Sequence, residues 1–286
     1  MATPVQYDRA TEDIGGIVAL EHVNTTVPDQ RLGTLFYVVG MGFTRDPYLS
    51  VGDENMWFNL GQQQFHTPTR AAQVLRGHVG IVVPDLDALE ARLAAVREKL
   101  AGTRFAYERG GDHVRAISPW GNELRCYAPS PRFGSMVLGM PYVEFTVSKG
   151  TAAGIARFYQ KVFDVAAETA DGGTCASVPA GPGQTLYFRE QAAPLPAYDG
   201  HHIAVYIADF SGPHRFLKER GLITEESNRH QYRFKTLCDP DTGAPLFEIE
   251  HEVRSLTHPL WARPFVNRNP YQTQRNYVPG RDAFCG

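Results

Sequence analysis

The sequence repeats one order of predicted elements four times, and this repetition limits the fold more than any other feature. Each repeat begins with a predicted strand, continues with a helix and ends with two or three strands. The opening strands start near residues 18, 77, 140 and 200, about 60 residues apart, a spacing that predicts one supersecondary unit per repeat. Val-Pro-Asp follows the first two opening strands, beginning at Val27 and at Val83. The units must pair or stack, because one such unit cannot bury its apolar face alone.

Hydrophobic spacing places the helices within the repeats. The second repeat carries an amphipathic stripe at helical spacing, formed by Leu86, Leu89, Leu93, Val96 and Leu100. Further helices are predicted over residues 29–39, 151–163 and 211–220. Short β-branched or aromatic runs bounded by Gly, Pro or Asp predict the strands. Each repeat is therefore interpreted as a βαβββ module.

A cluster of Pro, Ser and Gly at residues 129–139 predicts a boundary between two halves of the chain. We expect an N-terminal domain over residues 1–128, with modules one and two, and a C-terminal domain over residues 140–252, with modules three and four. Cross-pairing of modules one and four is the alternative arrangement. The pattern stops after residue 252, and residues 253–286 are predicted to form an extended arm that packs over a neighbouring surface.

Composition excludes several classes of partner. The 286 residues carry a net charge of −3 and no basic run, which gives no electrostatic case for nucleic acid or an anionic membrane as a partner. No apolar stretch approaches the ~20 residues needed to span a bilayer, and the acidic N-terminus lacks the pattern of a signal peptide. The cysteines, at positions 126, 175, 238 and 285, form no C-x-x-C motif and are typical of free thiols. We therefore expect a cytoplasmic protein.

The four βαβββ modules, together with histidine and glutamate on predicted strands, resemble the vicinal oxygen chelate superfamily, which includes glyoxalase I, fosfomycin-resistance proteins and extradiol dioxygenases. The resemblance covers about residues 18–252. It implies an α+β fold in which the modules form two cupped half-barrel domains, with a metal ion inside a cup. Activities in such proteins range from isomerisation and carbon–carbon cleavage to metal-free binding. The fold alone therefore does not decide the function.

In this superfamily the metal ligands come from the first strands of two modules and from the last strand of one or both. Aligning the first strands on their terminal valines places four residues at one equivalent position: His22, His78, Tyr142 and His202. Pairing modules one and two would give His22, His78 and Glu123, although Arg125 occupies the usual ligand spacing there. Pairing modules three and four would join Tyr142 to ligands of module four, and a tyrosine in place of a histidine is a poor ligand set for iron(II).

The third set, His22, His202 and Glu248, requires modules one and four to pair, and it is the set that we favour. It resembles the hydroquinone-cleaving dioxygenase branch, which takes its ligands from the first and fourth modules and carries an arginine at the position of Arg229. Glu248 follows Leu-Phe in an apolar strand, where an unpaired carboxylate would be costly, so a metal or a cation is expected beside it. A pair with Arg229 is the structural alternative, and Glu250 is the register alternative.

The chain also departs from that branch, because Glu21 precedes the first ligand where the branch has a histidine, and Thr236 replaces a tyrosine. Catalytic roles are assigned to Arg229, as a stabiliser of charge, and to His66, His230 and Tyr232, as acid–base groups or proton donors. For His66 the alternative is a residue at the rim of the cup.

Two neutral imidazoles and one carboxylate leave a divalent ion with positive charge and open positions on one face. A phenol or enol bound there would lose its proton more readily. We therefore predict an iron(II)-dependent ring-cleaving dioxygenase that acts on a small dihydroxylated aromatic compound with O2. Manganese(II) or zinc(II) would suit a lyase or isomerase of the same fold, and a metal-free binding protein is the third hypothesis. Assembly as a homo-oligomer is compatible with each of them.

Overall fold

The computed structural model describes residues 16–49, 52 and 54–267, and within them all four predicted βαβββ modules are present. The fold class is α+β, as predicted. The strands of modules one and two are β1 Ile17–Asn24, β2 Thr44–Arg45, β3 Asn55–Leu60, β4 Gln63–Pro68, β5 Gly77–Val82, β6 Ala106–Arg109, β7 His113–Ile117 and β8 Glu123–Tyr127. Those of modules three and four are β9 Gly139–Ser148, β10 Glu168–Ala170, β11 Cys175–Pro179, β12 Thr185–Gln191, β13 His202–Ile207, β14 Ile223–Asn228, β15 Gln231–Cys238 and β16 Pro245–Ser255.

Each module has one helix near its predicted position. The α-helices are α1 Gln30–Gly33, α2 Leu86–Val96, α3 Ala152–Phe163 and α4 Ser211–Glu219. The first is short because the chain changes after Gly33 to a wider π-helical winding over Thr34–Gly40, and Met41 N donates to Phe36 O five residues earlier, at 2.8 Å. The prediction of one helix over residues 29–39 therefore located the segment but not its winding.

The repeated Val-Pro-Asp has a local structural role, because its aspartate caps the helix that follows. The Asp29 carboxylate accepts from the backbone N–H groups of Arg31 and Leu32 at the start of α1. The Asp85 carboxylate accepts from those of Asp87 and Ala88 at the start of α2. Such a cap satisfies donors that have no partner within the helix, and its removal costs about 1 kcal/mol.

The strands form two eight-stranded sheets. Each sheet joins one module of the predicted N-terminal domain to one module of the predicted C-terminal domain. The first sheet has the order β14-β15-β16-β13-β1-β4-β3-β2 and holds modules four and one. The second has the order β10-β11-β12-β9-β5-β8-β7-β6 and holds modules three and two. Each sheet therefore takes strands from both residues 1–128 and residues 140–252, and modules one and four cross-pair.

One face of each sheet packs on the helices and forms the core. In module four, Phe234 of β15 stacks near Phe163 of α3, with ring centroids 5.8 Å apart, and both side chains are buried. In module one, Tyr37 stacks on Phe58 of β3 with centroids 4.9 Å apart. Because successive side chains of a strand alternate in direction, the residues between these core positions point to the opposite, cupped face of the sheet.

Two further predictions concern membrane-spanning helices and disulfide bonds. Within the part of the chain that the structure describes, no helix combines the length and the apolar character that a bilayer crossing requires. Cys126, Cys175 and Cys238 are buried free thiols, whereas Cys285 lies outside the described residues.

Candidate metal centre

Three histidines meet on the cupped face of the first sheet: His22 of β1, His66 of β4 and His202 of β13. One ring nitrogen of each lies within 4.8 Å of those of the other two. In the antiparallel pair β1–β13, His22 lies opposite Ala204 and Asn24 lies opposite His202. The small side chain of Ala204 leaves room beside the His22 ring, so that the His22 and His202 rings approach with centroids 5.7 Å apart.

A β-bulge in β1 sets the direction of His22. Leu20 pairs with Val205 and His22 pairs with Ala204, so Glu21 is an extra residue on β1. A bulge of this kind sets two successive residues against one residue of the partner strand and redirects their side chains. As a result, His22 Nδ1 donates to Glu21 Oε2 at 3.0 Å. Its Nε2 is then free to present a lone pair, and it is buried with no hydrogen-bond partner among the described residues.

His202 presents a second nitrogen of the same kind. Its Nδ1 lies 3.5 Å from a carboxylate oxygen of Glu250, and its Nε2 lies 3.6 Å from Oε2 of Glu252. The second distance is too long for a hydrogen bond, and Nε2 has no other partner in the described part of the chain. Burial lowers the pKa of His202 although Glu252 acts to raise it, so the imidazole is neutral near pH 7.

Glu252 is the carboxylate of the cluster, and two arginines hold it. It is 3% exposed, and its Oε1 accepts from Arg254 Nε at 2.6 Å while its Oε2 accepts from Arg233 Nη2. Burial alone would raise the pKa of Glu252, but the contact with His202 and the charges of Arg254 and Arg233 hold it well below its usual range. Glu252 is therefore an anion at neutral pH.

Arg254 links this carboxylate to the one beside His22. Its Nη1 donates to Glu21 Oε2, and the hydroxyl of Tyr206 donates to Glu21 Oε1 at 3.1 Å. Burial would raise the pKa of Glu21, yet Arg254 and then His22 lower it. Arg233 pairs with Glu250 as well as with Glu252. Three carboxylates and two guanidinium groups therefore surround the histidines, and their net charge of −1 favours a cation there.

His66 differs from the other two histidines because both of its ring nitrogens have partners. Asn24 Nδ2 donates to His66 Nδ1 at 2.7 Å, and His66 Nε2 donates to Asn55 Oδ1. The ring also stacks on Trp57 with centroids 3.6 Å apart. Burial, followed by the charges that His22 and His202 would carry, keeps the pKa of His66 well below its usual value. His66 is therefore a neutral side chain at the edge of the site. It can bind a metal only if its hydrogen bond with Asn24 is broken.

The three histidines are the group whose ligand atoms all lie within 4.8 Å of one another, and Glu252 adjoins this group at His202, with which it could share a divalent metal ion. Two ligand atoms at about 2.1 Å from one ion lie roughly 3 to 4 Å apart. The 3.6 Å between His202 Nε2 and Glu252 Oε2 falls in this range. Each carboxylate oxygen has two lone pairs, so Oε2 of Glu252 can coordinate an ion while it accepts from Arg233. Two buried, unpartnered imidazole nitrogens facing an anion are costly without such an ion.

The structure does not bring the predicted ligand Glu248 into this cluster. Its side chain is half exposed and lies 3.9 Å from Lys235. Across β13–β16, His202 pairs with Glu250 and Ala204 pairs with Glu252. Glu248 therefore lies two residues before the position opposite His202, nearer the start of β16. The strand continues to Ser255, and its three glutamates share one face. Alternation along the strand therefore could not identify the glutamate that faces the histidines.

The predicted catalytic residues of β14 and β15 also lie elsewhere. Arg229 is exposed, and its Nε donates to His230 Nε2 at 2.9 Å in the turn between the two strands. Tyr232 faces the helices, where its ring lies 5.0 Å from that of Phe210. The arginine that faces the cup is Arg233, one residue further along the chain. The resemblance indicated Arg229, whereas the alternation of side chains along β15 places Arg233 on the cupped face.

The segment after β16 covers the cup of the first sheet. Trp261 packs on Tyr206 with ring centroids 4.7 Å apart, and Arg263 donates to the buried carboxylate of Asp46 at 2.6 Å. Asn59 of β3 donates to Val266 O at 2.9 Å. Residues 256–267 therefore belong to the predicted arm, and they pack over the first sheet.

The second sheet has a cup with a different content. His78 lies opposite Glu144, and Gly80 lies opposite Tyr142. A Cβ atom on Gly80 would collide with the Tyr142 ring, so the ring lies directly over this glycine and fills the cup. His78 Nε2 is 3.3 Å from the Tyr142 hydroxyl. Glu123 pairs with Arg115 and Arg125 rather than with a histidine. The set of His22, His78 and Glu123 and the set of Tyr142, His202 and Glu248 are therefore not assembled, because each would need residues of both sheets.

His78 gives a prediction for the dependence of stability on pH. Burial, and then the charge of Arg125, lowers the pKa of His78 to about 4. Between pH 6.5 and pH 4 the unfolded chain binds a proton at this position and the native chain does not, so stability falls as the pH falls. The loss from this one group is about 2 kcal/mol by pH 5. Urea unfolding of the wild type and of His78→Gln at pH 7 and pH 5 should show it as a smaller loss in the variant.

Glu21 gives a prediction for metal affinity. In Glu21→Gln the amide can still accept from His22 Nδ1, but it carries no charge and holds Arg254 less firmly. Loss of such an outer partner of a ligating histidine weakens metal binding by roughly 10- to 100-fold. Competition with a chromophoric chelator measures the change. Glu144→Gln, at the position in the second sheet that lies opposite His78, is the control, and it should leave metal affinity unchanged.

No protein-family model matches the sequence, and a search of curated proteins finds no match. The structure itself is similar to solved structures. One is a "putative dioxygenase" from Bacillus subtilis, 14% identical, with a TM-score of 0.54 over 84% of this chain and 86% of that chain. Another is glyoxalase I from Zea mays, 15% identical, with a TM-score of 0.52 over 83% of this chain and 92% of that chain. The protein therefore has the vicinal oxygen chelate fold, with two sheets built from four βαβββ modules.

Proposed function

We propose that this protein is a metal-dependent enzyme whose ion is held by His22, His202 and Glu252. The observation that carries the proposal is the pair of buried Nε2 atoms of His22 and His202, which have no hydrogen-bond partner among the described residues and which adjoin a buried anion. A core histidine with a structural role would normally use both ring nitrogens, as His66 does. Glu252 replaces the ligand Glu248 that the sequence suggested.

The activity that this donor set supports best is ring-cleaving dioxygenation of a small dihydroxylated aromatic compound. Two imidazoles and one carboxylate with open positions are the ligands typical of non-haem iron(II) oxygenases. When bound, such an ion supplies positive charge that favours the deprotonated form of a phenol and an open position for O2. Iron(II) is accordingly the ion that we propose.

The residues around the cluster would orient and neutralise the reacting groups. Arg233 and Arg254 fix the Glu252 carboxylate from two sides, which holds its charge in one position. Glu21 keeps the proton of His22 on Nδ1. Trp57 and the neutral His66 form an aromatic wall, which suits a planar ring.

A second candidate function rests on the third imidazole. If Asn24 released His66, three histidines would surround the ion, and three-histidine sets are typical of catalytic zinc. The enzyme would then be a lyase or isomerase that uses zinc(II) or manganese(II) without O2. An Asn24→Ala variant would favour this state, because it removes the donor to His66 Nδ1.

Metal analysis and oxygen uptake test the two candidates. Protein purified anaerobically and loaded separately with iron(II), manganese(II) or zinc(II) would be supplied with a panel of catechols and hydroquinones. We expect oxygen uptake with iron(II) and loss of the aromatic absorbance of one substrate group. If the metal binds at one ion per chain but no oxygen is consumed with any diol, the non-oxidative candidate is favoured. If no metal binds tightly, both candidates are wrong.

A further inference from the structure

A cavity of about 620 Å³ lies where the two sheets meet, and it is separate from the proposed metal site. Residues 18–19 of β1 line it on the side of the first sheet, and residues 133–136 and 182–184 line it on the side of the second. The chain after β16 completes the wall with residues 260–261. None of the three proposed metal ligands lines this cavity. A molecule bound here would therefore occupy a second site.

The surface that the cavity offers to a ligand is mainly apolar. Trp261, Leu260 and Met136 line it and are half-buried, so each side chain keeps accessible apolar surface. The buried ring of Phe133 adjoins them. A cavity of this volume with apolar and aromatic walls is typical of small-molecule sites. Removal of such surface from water favours the binding of an apolar molecule.

Glu21 also lines the cavity, but its charge is compensated inside the protein. The side chain is 4% exposed, and its Oε2 accepts from His22 Nδ1 and from Arg254 Nη1. Its Oε1 accepts from the hydroxyl of Tyr206. A cationic ligand would therefore have to compete with Arg254 for a carboxylate that presents almost no surface to the cavity.

The charge of Arg263 is compensated in the same way. Its Nη2 donates to the buried carboxylate of Asp46 at 2.6 Å, and its Nε and Nη1 are buried rather than exposed to the cavity. An anionic ligand would have to displace Asp46 from this guanidinium. An ionised group that enters the cavity thus loses hydration without gaining a free counter-charge, which costs free energy.

Two buried amide side chains of the wall join the sheets to each other. Gln184 Oε1 accepts from Leu20 N at 3.2 Å, and its Nε2 donates to Leu20 O at 2.9 Å. Gln63 Oε1 accepts from Met140 N at 2.9 Å. These groups already have partners, so they do not attract a polar ligand. Ser135 lines the cavity and is exposed, and it can form a hydrogen bond with a hydroxyl group.

We propose that this cavity binds an uncharged, mainly apolar aromatic molecule, in contact with Trp261, at a site distinct from the metal centre. The preference for an aromatic molecule follows from Trp261 and Phe133, because aromatic rings favour offset or edge contacts with one another. The discrimination against ions follows from the internal pairing of Glu21 and Arg263. Binding requires no metal, so the inference does not depend on the proposed function.

Three naphthyl probes that differ in charge test the proposal on the full-length protein in the presence of EDTA. At neutral pH naphthalenemethanol is uncharged, naphthoate is an anion and naphthylmethylamine is a cation. Titration calorimetry measures the affinity of each probe. We expect the uncharged probe to bind more than about 10-fold more tightly than either ion, with the negative heat-capacity change that accompanies burial of apolar surface. The proposal is overturned if no probe binds or if either ion binds as tightly as the uncharged probe.

Trp261 locates the binding site. Trp261→Ala should weaken binding of the uncharged probe about 10-fold because it removes an aromatic wall, and Trp261→Phe, which keeps a ring, should retain most of the affinity. Trp120→Ala is the matched control, since Trp120 is also half-buried but lies between β7 and β8 and does not line the cavity.

Circular dichroism checks that each variant is folded. If Trp261→Ala does not fold, Met136→Ala removes a smaller part of the wall and should weaken binding about 3-fold. The proposal is overturned if a folded variant of the wall binds the probe as tightly as the wild type. It is also overturned if Trp120→Ala loses as much affinity as the variants of the wall.

Discussion

Replacing His22 with alanine is expected to abolish tight metal binding by the protein. His22 supplies one of the two buried Nε2 atoms that lack a hydrogen-bond partner among the described residues, and it lies beside His202. Loss of a ligating side chain should weaken binding by more than about 100-fold, since even outer partners of a ligand contribute 10- to 100-fold. Inductively coupled plasma analysis of protein dialysed against a weak chelator, together with a competition titration, measures the effect.

The matched control is His78→Ala. His78 occupies the equivalent strand position in module two, is also buried, and lies 3.3 Å from the Tyr142 hydroxyl rather than beside a second histidine. This variant should retain one metal ion per chain with unchanged affinity. Equal loss of metal in both variants would point to a general effect of cavity formation. Equal retention in both would exclude His22 as a ligand.

Replacing Glu252 with glutamine is expected to lower both metal affinity and the stability of the metal-free protein. Glu252 is almost completely buried, and it neutralises Arg233 and Arg254. Without its charge, Arg233 loses its closest anion, and Arg254 keeps only Glu21, in a region of low dielectric. Removing one partner of such a buried network costs about 3 kcal/mol. Urea unfolding in the presence of EDTA measures the loss without any contribution from bound metal.

Glu248→Gln is the control, and it compares the ligand predicted from the sequence with the one that the structure favours. Glu248 is half exposed and has only a distant pair with Lys235, so its replacement should cost less than about 1 kcal/mol. It should also leave metal affinity unchanged. A loss of metal in Glu248→Gln but not in Glu252→Gln would contradict our assignment of the carboxylate.

The residues of the site differ in how far the sequence could predict them. His22 and His202 were identified because they occupy equivalent positions in repeated strands, and His66 because it ends a strand of the same module. The arginines were not identified, since the resemblance indicated Arg229 whereas side-chain alternation within β15 and β16 places Arg233 and Arg254 beside Glu252. Glu21 was interpreted only as a difference from the hydroquinone-cleaving dioxygenase branch, which has a histidine at this position.

The sequence by itself determined the modules, because hydrophobic periodicity, turn residues and the capping aspartates of Val-Pro-Asp act over a few neighbouring residues. It also placed two histidines on opening strands. Only the tertiary structure decided that modules one and four share a sheet, since that pairing depends on contacts between residues more than 150 positions apart, such as His22 with Ala204. The tertiary structure also buries Glu252, one of three glutamates on one face of β16, beside His202. The reason is that the position of a strand relative to its neighbours, together with the bulge at Glu21, is fixed by packing across the whole sheet.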